Sequence, residues 1–456
     1  MGGGYFNKKK NITTKDFSKI KTFQSSPKQY NNYIIELYQP DNYDLTIYKT
    51  NHKKLVSKIN SLKENTDTYK TLSCIFGAFM GDSMGEYLEF HKPSDENHLK
   101  VYKGLSIFKT KAGSVTDDSC MAMSLSFAIM DNNKLKELNQ NLIFFYYGAW
   151  AMTNPPDMGN ATNNVMMYFN YEKCIYGDNY FNDDIKKNIH NTNYSSKANG
   201  FLMRISTFVV FFYYRFKDDC IKFLKSEKKE DLFMLYNEIK KIVLIDNEII
   251  HPNIENNIAC SVFVFISIGA LLNMKGKEII EKVELLLQNE EFSTIEEGRN
   301  VKNIIMEDLE TYKKEGINYK NFNVFQQMGY YGHAFKLTIY YLCIIDDIKD
   351  NKYEYIMNQI CDYGGDTDTN CAIVGTVIGP LIGYKNFSKD KWNTFINFLD
   401  DKHFQFCTAL MYIYVKYLEI SNNWKDSEKF EFNFYKMINS MLSDENIDFD
   451  AIFLNN

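Results

Sequence analysis

Residues Cys361 to Gly383 read CDYGGDTDTNCAIVGTVIGPLIG, a stretch in which a flexible turn leads directly into a helix. Gly364 and Gly365 form the turn, and the residues after it carry alternating oxygen atoms of the kind that Mg²⁺ and Mn²⁺ prefer. These oxygen-bearing residues are Asp366, Asp368 and Thr369. Small residues at helical spacing then predict close packing against another backbone; they are Ala372, Gly375, Gly379 and Gly383.

Two other interpretations of this stretch fit its sequence poorly. An EF-hand loop that begins at Asp366 needs Gly at its sixth position and Glu at its twelfth, where this chain has Cys371 and Val377. A phosphatase of the haloacid-dehalogenase type also uses Asp-x-Asp-x-Thr, but its aspartates follow a buried hydrophobic strand. Here they follow Tyr363 and two glycines, and the fifth position is Asn370. The sequence therefore favours a metal-binding turn before a helix.

A second stripe of glycines lies in GAFMGDSMGEYLEF, where they recur every fourth residue as Gly77, Gly81 and Gly85. On a helix this spacing would let another backbone approach closely. The same helix would place Asp82 and Glu89, seven positions apart, on nearly the same face. Taken alone, the segment is explained as well by a core helix with two solvated carboxylates.

A third segment, VTDDSCMAMSLSFAIM at residues 115–130, begins with Thr116, Asp117 and Asp118 before an amphipathic run. Thr116 has the character of a helix N-cap, and capping together with the helix dipole would already explain acids in a first turn. Consecutive carboxylates diverge by about 100° around a helix, however, which suits two acids that reach different cations.

Six acids thus adjoin helix-packing residues in three separate segments; they are Asp82, Glu89, Asp117, Asp118, Asp366 and Asp368. If these acids converge in a partly dry site they repel one another strongly, and only cations would make the arrangement tolerable. A two-metal site, with ions about 3.5 to 4 Å apart, matches this number of ligands.

The organisation of the chain favours an all-α protein. From Thr71 onward, long segments with helical apolar periodicity alternate with short polar turns. We interpret residues 1–69 as a partly irregular N-terminal extension, 70–420 as the helical domain, and 421–456 as a C-terminal tail. The Asn-rich residues 178–196 are expected to form a surface loop, and the uncharged stretch 258–274 a buried core helix rather than a membrane span.

Composition narrows the function classes. The net charge of -6 removes the electrostatic case for a nucleic-acid binder, since no basic excess is available to neutralise phosphates. The 9 cysteines include no C-x-x-C pair, which favours a reducing, cytoplasmic compartment. We expect a monomer without a membrane partner.

With these motifs assembled, the chain resembles the ADP-ribosylglycohydrolase family, which includes the dinitrogenase-reductase-activating glycohydrolases and the ADP-ribosylarginine and ADP-ribosylserine hydrolases. GDSMGEYLEF, TDDS and GGDTDTN occur in the expected order between about Thr71 and Gly383. The resemblance implies a compact, orthogonal multi-helix domain with a dimetal cleft, for which residues 70–420 would be the catalytic domain. The implied ligands of two Mg²⁺ ions, with Mn²⁺ as an alternative, are Thr116, Asp117, Asp118, Asp366, Asp368, Thr369 and a mobile Glu89.

The resemblance also suggests residues that line the ADP-ribose cleft, namely Gly159, Asn160, Ser196, Asn199, Gly200, Arg204, His251, Gly332 and His333. Ala198 and Phe201 depart from glycines that are common in the family at these positions and could reshape the diphosphate loop. Arg204 and His251 also have a structural interpretation, as an ordinary packed helix start and the opening of the following helix. Gly332-His333 resembles the arginine-specific branch more than the serine-specific branch.

The implied activity is metal-dependent hydrolysis of the bond between ADP-ribose and a protein side chain, or of a small molecule that contains ADP-ribose. Metal-organised water would attack the anomeric carbon of the distal ribose, with Asp118 or Glu89 as the base. Arginine is the favoured acceptor over serine. The alternative is a non-catalytic ADP-ribose-binding or crystallin-like protein of the same fold, which would have no chemical need for the complete set of oxygen ligands.

Overall fold

A computed structural model of the chain describes residues 44–93, 107–132, 138–176, 180–315, 322–399, 407–423, 432–449 and 452. Within these ranges the protein is all-α, as predicted, and it includes an isolated antiparallel bridge between Ala198 and Tyr330. The α-helices are α1 Leu45–Ser61, α2 Asp67–Gly85, α3 Asp117–Asp131, α4 Gln140–Met152, α5 Asn160–Met166, α6 Tyr171–Tyr176, α7 Asp183–Asn193, α8 Gly200–Met203, α9 Ile205–Leu224, α10 Lys229–Ile250, α11 Ile254–Leu271, α12 Gly276–Leu286, α13 Glu291–Thr294, α14 Glu296–Glu315, α15 Tyr331–Ile344, α16 Lys352–Tyr363, α17 Thr367–Ile382, α18 Lys389–Ile396, α19 Met411–Asn423 and α20 Phe434–Ser443.

The two glycine stripes pack against each other, so that α2 and α17 form the central pair of the fold. A Cβ atom added at Gly77 would lie 2.3 Å from the carbonyl oxygen of Gly375, and one added at Gly375 would lie 2.1 Å from that of Gly77. The contact continues to Gly85, where an added Cβ would lie 2.4 Å from the carbonyl oxygen of Thr367. Any larger side chain here would push the helices apart, which explains the spacing of the glycines.

The uncharged stretch predicted as a core helix is confirmed as one. It forms α11, which has the length and mean hydropathy of a membrane span. However, 94% of the helix Ile254–Leu271 is buried inside the protein. Asn253 caps its first turn, where its side-chain oxygen accepts from the backbone N–H of Glu255. The apolar surface of α11 is covered by neighbouring helices.

The terminal segments contain helices that the sequence did not predict. In the N-terminal segment, α1 buries Tyr48, Asn51 and His52, and the Asn51 amide donates to the carbonyl oxygen of Met441 in α20 at 2.9 Å. Residues 1–43 of the predicted extension lie outside the described part of the chain, and the domain boundaries stay a prediction. What the structure adds is a contact between parts of the two predicted terminal segments.

The predicted surface loop at residues 178–196 is wrong over most of its length. Residues Asp183–Asn193 form α7, whose N-terminus is capped by the Asn182 side chain, and Ile189 and Asn193 are buried. Asparagine is a weak helix former, but its amide is an effective cap and can satisfy buried backbone groups. The Asn193 side chain does this by donating to the carbonyl oxygens of Ala161 and Ile250.

Candidate active site

Three chain segments meet at one end of the α2–α17 pair. The last turn of α2 leads into a 3-10 turn at Glu86–Leu88 and then Glu89, while α17 begins at Thr367 and α3 at Asp117. The close packing at Gly85 sets the two helix ends against each other. The three motifs that the sequence singled out are therefore brought together by the geometry of the central pair.

Glu89, Asp366 and Asp368 form the core of the site. Carboxylate oxygens from the three residues lie within 4.8 Å of one another, and all three residues are largely shielded from solvent. Two backbone hydrogen bonds hold the segments together, from Phe90 N to Gly365 O at 2.7 Å and from Gly365 N to His91 O at 2.9 Å. This spacing can accommodate a shared cation.

The turn before α17 requires its two glycines. Gly364 and Gly365 have φ values of +71° and +78°, a region that side chains with a Cβ atom rarely adopt. A Cβ atom at Gly364 would also lie 2.4 Å from the carbonyl oxygen of His91. The glycines thus turn the chain and let the segment after Glu89 approach the acids of α17.

The Thr-Asp-Asp segment is linked to the same site through Asp118. Thr116 caps α3 as predicted, because its hydroxyl accepts from Asp118 N. The Asp118 Oδ2 atom accepts from the hydroxyl of Thr116 at 3.2 Å and from that of Thr369 at 3.3 Å. Oδ1 of Asp118 and Oδ1 of Asp368 are buried and have no hydrogen-bond partner among the residues that the structure describes. Such oxygens are costly to bury unless a cation or a proton joins them.

Asp82 has a different role from the one its sequence position predicted. It lies in α2, which ends at Gly85, so it does not share a helix face with Glu89. Its carboxylate instead accepts from the backbone N–H groups of Thr116 and Ser119, all at 3.1 Å, and from the Ser119 hydroxyl. Asp82 therefore holds the first turn of α3 in place from the neighbouring helix.

The accumulated acids raise one another's pKa values. Burial, together with neighbouring carboxylates, raises the pKa of Glu89 to about 9. The same two causes, burial first, hold the pKa values of Asp117, Asp118 and Asp368 well above their usual range. Burial raises the pKa of Asp82 to about 6, against the hydrogen bonds that it accepts. The site has an excess of negative charge that no basic residue of the described chain is seen to pair.

Asp157 belongs to this electrostatic group, although the sequence analysis did not select it. Its charge contributes to the raised pKa values of Glu89 and Asp117, and burial and Asp366 raise its own pKa. The available signal was its position two residues before Gly159, in the polar turn formed by residues 154–157. Asp157 is only partly buried.

The predicted cleft residues fall into two sets. Those at or near the acids include Asn199, whose amide donates to Asp366 Oδ2 at 2.7 Å, and His333, on which the charge of Asp366 acts. Gly159 and Asn160 are exposed at the start of α5, after the turn that carries Asp157. Gly329 was missed by the sequence analysis: its Cβ position is 3.9 Å from Asp366 Oδ2.

For the remaining predicted cleft residues, the observed contacts are with other residues of the protein. Ser196 accepts at its carbonyl oxygen from the Asn256 amide, and Gly332 is buried where a Cβ atom would collide with the Tyr330 ring. Gly200 lies against the His251 ring, with 3.1 Å between its Cβ position and Nε2 of that ring. A substrate contact by these residues stays a prediction.

Arg204 lies in the interior of the protein, which agrees with the structural interpretation of this residue. Its side chain is 0% exposed, and Nη2 pairs with Asp246 Oδ2 at 2.9 Å. Nε donates to the Tyr147 hydroxyl at 3.0 Å, and the guanidinium also donates to the carbonyl oxygen of Gly200. His251 is buried beside this group. The guanidinium and the imidazole ring both contact Gly200, so they pack against the loop that contains it.

The fold is one that is already known from solved structures. It matches that of an ADP-ribosylglycohydrolase-related protein complex with a TM-score of 0.50 and 15% sequence identity, over 77% of this chain and 99% of the other. This confirms the predicted class, an all-α protein with the ADP-ribosylglycohydrolase fold.

The sequence comparisons carry the assignment from fold to family. The profile of the ADP-ribosylglycohydrolase family matches residues 64–400, so the chain belongs to that family. A protein of Acanthamoeba polyphaga mimivirus, named as a proposed ADP-ribosyl glycohydrolase, is 27% identical over 333 residues, which cover 70% of this chain and 88% of the relative. The protein is thus a glycohydrolase enzyme that acts on ADP-ribosyl groups, which disfavours the non-catalytic alternative.

Proposed function

We propose that the enzyme uses two divalent cations to hydrolyse the bond between ADP-ribose and a protein side chain, with arginine favoured over serine. The observation that carries this proposal is the pair of buried carboxylate oxygens without a partner, on Asp118 and Asp368, at the meeting point of three acid-bearing segments. A buried acid cluster of this kind is stable only when bound cations or protons offset its charge.

The side chains at the site fit Mg²⁺ or Mn²⁺. All are hard oxygen donors, three of the acids lie within 4.8 Å of one another, and the unpartnered oxygens of Asp118 and Asp368 leave room for ligation. The residues that would hold the cations are Thr116, Asp117, Asp118, Asp366, Asp368, Thr369 and Glu89. Bound cations would neutralise the acids and lower the pKa of nearby water.

The chain's own residues would divide the remaining work. Asp118 or Glu89 would accept the proton of the attacking water, while Asp82 keeps the first turn of α3 in register with α17. Asn199 would fix the orientation of Asp366 through its amide. Attack would fall on the anomeric carbon of the distal ribose, whose bond to the acceptor side chain would break through a transition state of oxocarbenium character. The departing side-chain atom would take up the proton that the base removed from water.

Asp157 supports the preference for arginine. It is an additional acid whose charge acts on the cluster, and it is only partly buried. A carboxylate at this place would attract a cationic guanidinium and would gain nothing from a neutral serine hydroxyl. We further propose a monomer that works in a reducing, cytoplasmic compartment, which suits the nine free thiols.

The test is release of ADP-ribose from separate arginine- and serine-modified peptides in Mg²⁺, with Asp368→Ala beside the wild type. We expect release from the arginine peptide, lost on chelation of the metal and reduced at least about a thousandfold by the substitution. Asp350→Ala, at an exposed loop position, is the matched control and should keep full activity. Release that persists in Asp368→Ala, or no release from either peptide, would overturn the proposal.

A further inference from the structure

Polar side chains at the start of α11 form hydrogen bonds with the loop that leads to Asn199. The Asn253 side chain donates to the carbonyl oxygen of Tyr194, and that of Asn256 donates to the carbonyl oxygen of Ser196 at 2.8 Å. Between them, Glu255 reaches the next residue of the loop, Lys197. The most apolar helix of the fold thus begins with three side chains that all face one loop.

The Glu255 carboxylate accepts hydrogen bonds from three different parts of the fold. Its Oε2 atom accepts from Lys197 Nζ and from the Asn300 amide in α14, each at 2.8 Å, and its Oε1 atom accepts from the Tyr331 hydroxyl in α15 at 2.9 Å. The residue is only 1% exposed, whereas the Lys197 side chain is 42% exposed. A buried carboxylate with one cationic and two neutral donors is held in a single geometry.

Two of those donors sit on the two strands of the isolated bridge. Tyr331 N donates to Lys197 O at 3.1 Å, and Asn199 N donates to Gly329 O at 2.8 Å. At the far end of the bridge, the Asn199 amide meets Asp366. One continuous set of hydrogen bonds therefore runs from Glu255 to the acid cluster.

We propose that Glu255 is a positioning residue that sets Asn199 against Asp366 by fixing Lys197 and Tyr331 on opposite sides of the bridge. The bridge is short, and neither strand is supported by a sheet, so its register depends on side-chain anchors. The expected loss of activity rests on the proposed function. The expected loosening of the bridge does not depend on that function.

The variant is Glu255→Gln, which keeps the shape but removes the charge and turns an NH₂ group towards one of the three donors. The chain offers a close control in Glu291, which also accepts from a tyrosine and a lysine: the Tyr236 hydroxyl at 2.8 Å and Lys240 Nζ at 2.6 Å. That group lies between α10 and α13, and its hydrogen bonds to Tyr236 and Lys240 are separate from those that anchor the bridge. Glu291→Gln therefore measures the general cost of such a substitution.

Two readouts are needed on the full chain. Hydrogen exchange followed by mass spectrometry should show at least about tenfold faster exchange at the amides of Asn199 and Tyr331 in Glu255→Gln, and no change there in Glu291→Gln. For the arginine-modified peptide, kcat/KM should fall about tenfold or more in Glu255→Gln only. In an Asn199→Ala background, Glu255→Gln should cause little further loss of kcat/KM, because both changes act through the same contact.

The outcomes separate the two proposals. If the wild type releases no ADP-ribose, the proposed function fails, while the exchange rates still report on Glu255. Unchanged exchange at the bridge amides, or equal losses of kcat/KM in Glu255→Gln and Glu291→Gln, would refute the positioning role. Fully additive losses in the Asn199→Ala background would do the same.

Discussion

The protein buries two groups of charge, and it balances them in opposite ways. In the interior, Arg204 and Asp246 pair at 2.9 Å, and Tyr147 donates to the same carboxylate at 2.6 Å. At the end of the α2–α17 pair, by contrast, several acids are buried together, and two of their oxygens have no hydrogen-bond partner among the described residues. In the first group the buried cation has its counter-charge within the chain. In the second, acids of the same sign face one another, and this difference distinguishes the site.

The largest effect on stability should come from breaking the balanced group. Asp246→Asn leaves the Arg204 guanidinium buried without a counter-charge, which should lower the free energy of unfolding by about 3–5 kcal/mol. Urea denaturation would measure it. The matched control is Glu238→Gln, which removes the exposed pair with Lys241 and should cost less than about 1 kcal/mol. Equal stability of the two variants would show that the interior pair is not the anchor that its burial suggests.

The next largest effect on stability should come from the binding of cations to the acid cluster. If cations belong at the acids, Mg²⁺ at a hundred times its dissociation constant should raise the free energy of unfolding by about 2.7 kcal/mol over the chelated protein. Asp368→Asn should lose most of this gain, since it removes one of the two unpartnered oxygens. Thermal melts with and without Mg²⁺ would measure it, with Asp350→Asn as the control. An equal gain in Asp368→Asn would point to non-specific ion binding.

The contrast also explains what the sequence could predict. Glycines every fourth residue and acids beside them are local patterns, so the helices α2, α3 and α17 and most of the candidate site followed from spacing and resemblance. The two glycine stripes pack against each other. This is a contact between residues far apart in the sequence, so a local pattern cannot predict it. The end of α2 at Gly85 was also missed, because Glu86–Leu88 continues the helical spacing as a 3-10 turn.

The residues that sequence reasoning missed or left with two interpretations are those whose roles depend on distant partners. Arg204 had both a cleft and a structural interpretation, and it pairs in the interior with Asp246, forty-two residues later. Asp157 and Gly329 gave no motif, yet the fold brings both to Asp366. Sequence spacing thus identified the acids, while the tertiary contacts decide which polar residues support them and which face solvent.

The smallest expected effect is on the pH dependence of stability, and it tests whether His251, beside Arg204, is inaccessible to protons in the folded protein. Burial, reinforced by the charge of Arg204, lowers the pKa of His251 well below its ordinary value of 6.5. As pH falls through 6.5, the unfolded chain therefore takes up a proton that the folded chain refuses, and stability is lost. The loss should reach about 2 kcal/mol at pH 5 while the folded imidazole stays neutral.

His251→Gln should remove that part of the acid sensitivity, whereas His190→Gln, at an exposed position of α7, should leave it intact. Free energies of unfolding at pH 7 and pH 5 would measure both. Burial also lowers the pKa of His52, to about 4, so some sensitivity should remain in each variant. If His251→Gln kept the full slope, the imidazole would have to be accessible to protons in the folded state. It would then belong to the cleft, as the sequence resemblance suggested, and not to the balanced interior.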